Sequence, residues 1–144
     1  LSPAPQPTHR FDLQTHAGPY QRWPGRSRLI VDDQLHRTAV PGYVLLRQFA
    51  LPEGYLLITD FDCPFEEATS FVLLDEHLRV VSHRTLSGMY TSYLLKRVQW
   101  RNDRELVAFF VDRGAWRVSI RAWSLPYLRP RLALQREHDL PLQP

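Results

Sequence analysis

Cysteine, methionine and lysine each occur once in the 144 residues, as Cys63, Met89 and Lys96. A single thiol excludes an intramolecular disulfide and any cysteine-rich zinc site. No apolar run approaches the roughly 18 residues that a membrane-spanning helix needs. The longest, Leu106 to Val111, which contains Val107-Ala108-Phe109-Phe110-Val111, has strand length. The chain has no glycine-rich phosphate loop and no Gly-x-Ser-x-Gly elbow. No window shows a 3.6-residue apolar stripe bracketed by caps, although residues 65–71 allow one short helical turn. The six histidines (His9, His16, His36, His77, His83, His138) have no metal-ligand spacing. The sequence therefore implies no metal site and no cofactor.

What remains is the composition of one globular domain: 44% hydrophobic and 23% charged residues, enough to bury a core without staples. A net charge of +3 and a pI near 9.4 raise the question of nucleic acid. Arginine supplies all the basic residues but Lys96 and is spread over strands and turns. A nucleic-acid footprint is a concentrated stripe, and an arginine skew beside twelve prolines is also what a GC-rich genome produces. Nucleic-acid binding is accordingly disfavoured.

The apolar pattern is that of strands. Residues 1–27 read as a proline-rich extended leader and an irregular arm whose Phe11, Tyr20 and Trp23 call for burial. The opening Leu-Ser-Pro-Ala-Pro-Gln-Pro resembles the mature end left by a signal peptide, a lean towards an exported or periplasmic protein. A β domain is expected over 28–136, followed by a tail at 137–144. Its strands fall at 28–32, 35–40, 43–50, 55–62, 70–74, 78–85, 92–101, 105–111 and 116–123. An edge strand or covering arm follows at 126–135, where Pro126 and Pro130 exclude a central position. Gly114 should supply the positive φ of the hairpin at 111–115. The strand after it alternates, with Trp116, Val118, Ile120 and Ala122 inward and Arg117, Ser119, Arg121 and Trp123 outward.

Two internal echoes bear on architecture. An apolar run, an Asp-containing turn and a second apolar run recur at 29–35, 72–78 and 110–116. Separately, Tyr43-Val44-Leu45-Leu46-Arg47 resembles Tyr93-Leu94-Leu95-Lys96-Arg97. A period near 40 is that of propeller blades, but about three units do not close a propeller. The expectation is an all-β antiparallel meander of eight to ten strands, forming a sandwich, an open barrel or an incomplete propeller-like sheet stack.

Two loops carry the candidate site. The first, Asp60-Phe61-Asp62-Cys63-Pro64-Phe65-Glu66-Glu67, holds four carboxylates beside two aromatics. It lacks the glycine and the alternating ligands of a calcium loop. Cys63 precedes a proline among acidic residues, unlike the helix N-terminus that activates a catalytic thiolate. The second, residues 87–93, combines small residues with tyrosines, the composition of an adaptable contact surface. The residues selected for contact with another protein are Asp60, Asp62, Phe65, Glu66, Glu67, Met89 and Tyr90, with no catalytic residue among them. The class that fits is a non-catalytic β domain binding a protein partner through loops. An inhibitor or immunity protein neutralising a bacterial toxin or hydrolase is one such protein. The alternative is an enzyme or small-ligand carrier with its site inside a β-barrel.

Overall fold

The computed structural model of the protein describes residues 3–63, 67–88, 92–121 and 131–137. All the regular structure there is antiparallel strand, apart from a single 3-10 turn at Tyr20–Arg22. Three meanders follow one another along the chain. The first is β2 (Phe11–Leu13), β3 (Arg26–Val31) and β4 (Gln34–Pro41). The second is β5 (Val44–Leu51), β6 (Gly54–Asp60), β7 (Thr69–Asp75) and β8 (Val80–Leu86), with β1 (Gln6–Pro7) added along the free edge of β5. The third is β9 (Leu95–Trp100), β10 (Glu105–Phe110), β11 (Gly114–Ile120) and β12 (Leu132–Glu137).

The sheets stack in three layers with the five-stranded sheet in the middle. On one face of β6 and β7, Leu56, Ile58, Phe71 and Leu73 meet Leu106, Ala108, Phe110, Val118, Ile120 and Leu132 of the four-stranded sheet. On the other face, Leu57, Val72 and Leu74 meet Leu13, Leu29, Val31 and Val40 of the three-stranded sheet. Each large side chain buried in this way contributes roughly 1.5–3 kcal/mol relative to exposure. Coverage on both faces explains why β7 is buried without interruption from Thr69 to Leu74, where a one-sided sheet would alternate. The stack is open, and none of its sheets closes into a barrel among the described residues. A ligand site inside a barrel lumen therefore has no counterpart in the described fold.

Twelve strands are present among the described residues, against the roughly eight to ten expected. The additions, β1 and β2, lie in the proline-rich segment. Pro7 lacks an N–H but sits on an outermost strand, where the ladder does not need one. Phe11 and Leu13 are buried against β3 and the middle sheet. The turn chemistry follows the sequence closely. Asp32 (φ 49°) and Asp33 (φ 67°) both take the left-handed conformation that a type I′ hairpin requires, and Gly114 (φ 73°) does so at the β10–β11 turn. In the β7–β8 turn the Asp75 carboxylate accepts the N–H groups of His77 and Arg79 at 2.8 and 2.9 Å.

Antiparallel order sends alternate connections to opposite ends of the stack. Residues 14–25, 42–43, 61–63, 67–68, 87–88, 92–94 and 111–113 lie at one end, here the loop end. The turns at 32–33, 52–53, 76–79 and 101–104 lie at the other. Polar ties cross the layers at the turn end. Glu53 pairs with Arg104 and, at 3.6 Å, with Arg131. In mid-stack the Gln48 amide accepts the Phe11 N–H at 3.0 Å and donates to the Phe11 carbonyl at 2.9 Å.

Candidate partner-binding surface

At the loop end the middle sheet changes character. Below Ile58 and Phe71 its buried residues are apolar; above them stand Thr59, Thr69 and Ser70, all fully buried. Each has a partner. Thr59 donates to the Pro41 carbonyl at 2.7 Å, Thr69 to the Tyr93 carbonyl at 2.7 Å, and Ser70 shares a hydrogen bond with Thr85 at 2.7 Å. The chain then leaves β6 at Asp60 and returns at Glu67.

Glu67 organises this connection. Its side chain turns inward, leaving the residue 5% exposed, and one carboxylate oxygen accepts the N–H groups of Phe61 and Asp62 at 3.0 and 2.9 Å. Its own N–H donates to the Ser92 hydroxyl at 3.2 Å, and its carbonyl accepts the Tyr93 N–H at 2.8 Å. One buried glutamate thus holds the first loop closed on itself and joined to the second. The described parts of the two loops singled out in the sequence are joined here, although 25 positions separate Glu67 from Ser92.

The electrostatics of the surface are unfavourable to charge. Burial raises Asp60 above the usual aspartate range, with the neighbouring Asp62 charge acting in the same direction. Glu67 is raised by burial and by Asp60, against the opposing effect of its two backbone N–H donors. The buried Oδ1 of Asp60 accepts no hydrogen bond among the described residues. Asp62 is exposed with φ at 50°, a conformation that aspartate and asparagine tolerate better than other side chains.

Beside these carboxylates lies an aromatic cluster that the sequence did not suggest. Tyr43 is its hub. Its ring contacts His16 at 5.3 Å, Tyr20 at 5.5 Å, Trp23 at 5.1 Å and Phe61 at 5.4 Å, each at a steep interplanar angle. Edge-to-face geometry of this kind is the preferred aromatic arrangement. Tyr20 and Trp23 of the arm pack on Tyr43, but Tyr20 stays exposed where burial was expected, and Phe11 belongs to β2. The Tyr20 hydroxyl donates to the Phe61 carbonyl at 2.8 Å. Burial and the neighbouring ionisable groups push Tyr20 up to about 12, so it keeps the proton this bond requires. Gly42, before the hub, has φ 104°, and a Cβ there would lie 2.5 Å from the Thr59 hydroxyl. The tight passage from β4 into β5 therefore requires glycine.

The surface contains one pair that resembles catalytic machinery. His16 Nε2 lies 2.8 Å from the Ser27 hydroxyl. Ser27 is fully buried, however, and gives its only hydroxyl proton to the Gly42 carbonyl at 2.6 Å. The histidine must therefore donate to the serine, the reverse of general-base activation. Cys63 is partly buried, and among the described residues no three His, Cys, Asp or Glu side chains converge on a point where a metal ion could sit.

Of the residues selected from sequence, Asp60, Asp62 and Glu67 meet at this surface; Phe65, Glu66, Met89 and Tyr90 lie outside the described residues. Asp60 and Glu67 are more buried than an acidic protrusion implies, which leaves Asp62 as the exposed charge of the three. Tyr20 and Tyr43 are additions. Compared with known protein families, characterised proteins and solved structures, the chain matches none.

Proposed function

We propose that the protein is a non-catalytic β domain that binds another protein through the loop end of its sheet stack. An inhibitor or immunity protein acting on a toxin or hydrolase is the class that fits. One observation carries the reading: Glu67 fastens the two loops into a single surface, beside an aromatic cluster with Tyr20 39% exposed. Aromatic area next to a few polar anchors, on a rigid support, is the usual make-up of an interface hot region. A partner surface carrying basic groups complements Asp62 and the acidic loop. The inverted His16–Ser27 pair supports a binding role over hydrolysis.

The test begins with affinity capture of a partner and proceeds by titration. Asp62→Asn keeps a residue that accepts positive φ and removes only the charge. It should slow association about 3- to 10-fold at low salt, with the difference shrinking as salt screens it. Asp33→Asn, the matching change at the turn end, should leave association unaltered. Equal effects of the two substitutions would contradict the assignment. For an inhibitor, the partner's activity should also fall in proportion to complex formed.

A further inference from the structure

The outer face of the four-stranded sheet carries a cluster of arginines, separate from the loop surface. The strand register places Arg97 in one transverse row with Phe109 and Glu137, and Arg117 in the next with Val107 and Gln135. Arg101 follows β9 at the turn end, whereas Glu137 closes β12, the opposite edge strand, at the loop end. In a flat sheet the two would stand about 14 Å apart across the strands and about 13 Å apart along them. Their side chains nevertheless meet at 3.5 Å. The sheet is therefore coiled, with this face concave. Val107 lies on its floor, 2% exposed.

The guanidiniums gathered in this hollow leave much of their hydrogen-bonding capacity unused. Glu137 lies 3.5 Å from Arg101 and 3.9 Å from Arg117, long for charge-assisted hydrogen bonds. Arg117 donates one Nη to Gln135, but its Nε is buried and has no acceptor among the described residues. A buried donor without an acceptor calls for an explanation, and an ion is one. The Arg97 guanidinium lies 3.8 Å from the centre of the Phe109 ring and reaches only Gln99, at 3.4 Å, with no carboxylate in ion-pair distance among the described residues. Glu105, at the turn-end margin of the same face, pairs with none of the three arginines. A guanidinium is a planar fork that grips phosphate or carboxylate with two parallel bonds. Three of them against the one carboxylate of Glu137 leave an excess of charge that a phosphate, carrying close to two negative charges, matches better than a second carboxylate. The geometry points to a phosphate-binding hollow on this face, in which Arg97, Arg101 and Arg117 hold a phosphate group and Glu137 competes with it.

Titration calorimetry of the full-length protein with inorganic phosphate, at an ionic strength fixed with chloride, tests the site. Saturable binding with Kd at or below about 1 mM is expected. Arg97→Gln and Arg117→Gln should each weaken it by about 10-fold or more. Glu137→Gln removes the competing carboxylate and should strengthen it about 3- to 10-fold. Arg37→Gln makes the same change of charge at an exposed position of β4 and should leave binding unaltered. Glycerol phosphate, titrated in parallel, separates the sources: tighter binding than inorganic phosphate assigns the hollow to a phosphate ester, weaker binding to the free ion. The absence of saturable phosphate binding would overturn the proposal, as would equal losses in Arg37→Gln and Arg97→Gln, or weaker binding in Glu137→Gln. Should Arg117→Gln fail to fold, Arg117→Lys keeps the charge without the fork and must still weaken binding. No partner protein enters these titrations, so they stand or fall apart from the partner-binding reading.

Discussion

Individual carboxylates show how local environment sets opposite behaviour in one residue type. Asp60 and Asp75 terminate neighbouring strands at opposite ends of the middle sheet. Burial raises the Asp60 pKa above its ordinary 3.8, so its folded state favours the protonated form. The stability it contributes is present below that value and is lost as pH rises through the folded pKa. Asp75 accepts hydrogen bonds from the N–H groups of His77 and Arg79 and lies 3.1 Å from the Arg79 guanidinium, which together lower its pKa. Its contribution is present above 3.8 and is lost as pH falls through the lowered value. Urea unfolding at several pH values should therefore separate the two. Asp60→Asn should gain on wild type as pH rises from about 4 to 7, and Asp75→Asn should lose on it over the lower part of the scale. Parallel profiles for the two variants would show that burial does not set the Asp60 titration. The turn at Asp75 was legible in the sequence as an Asp-containing turn between two apolar runs. Asp60 was not, since its burial depends on residues far away in the chain.

At the level of the strand, alternation was the most reliable guide. Val118 and Ile120 are buried, as the pattern around them required, and Trp116 packs against the same core. Ser119 faces away, between Glu105 and Ala133. Ile120→Ala should thus destabilise the protein by roughly 2–5 kcal/mol. Ser119→Ala should stay within about 0.5 kcal/mol of wild type. Denaturant midpoints measure both, and equal shifts would mean the faces of β11 are misassigned. The short strands β1 and β2 were not legible, because proline-rich extended chain looks the same whether or not a sheet edge receives it. The two echoes also fared differently. Tyr43 and Tyr93 precede the first strands of the two four-strand meanders, so their resemblance marks equivalent positions. The apolar-Asp-turn pattern joins β3–β4 and β7–β8 at the turn end but β10–β11 at the loop end, so it marks only hairpins. In the second meander, the connection between β6 and β7 occupies the place of the tight 111–113 turn in the third.

Across the whole molecule, the outermost sheets carry arginine where the middle sheet carries leucine. On the outer face of the four-stranded sheet the Arg97 guanidinium stands 3.8 Å from the centre of the Phe109 ring. Arg101 and Arg117 share Glu137 at 3.5 and 3.9 Å. Arginine stems cover apolar surface while their heads stay polar, so Val107 is only 2% exposed on an outward face. Arg26, Arg28 and Arg37 occupy the outer side of the three-stranded sheet. The arginines scattered along the sequence are thus distributed over separate outer faces. The sequence showed the two loops as separate candidates, but their union depends on the hydrogen bonds that Glu67 donates to Ser92 and accepts from Tyr93, which no local pattern encodes. Hydrogen exchange of the protein alone and in complex with its captured partner tests that union most directly. Binding at the loop end predicts slowed exchange together at Tyr43, Phe61 to Cys63, Glu67 and Ser92 to Tyr93, with the turns at Asp33, Glu76 and Asn102 unchanged. Protection confined to those turns or to the arginine-bearing outer faces would contradict it.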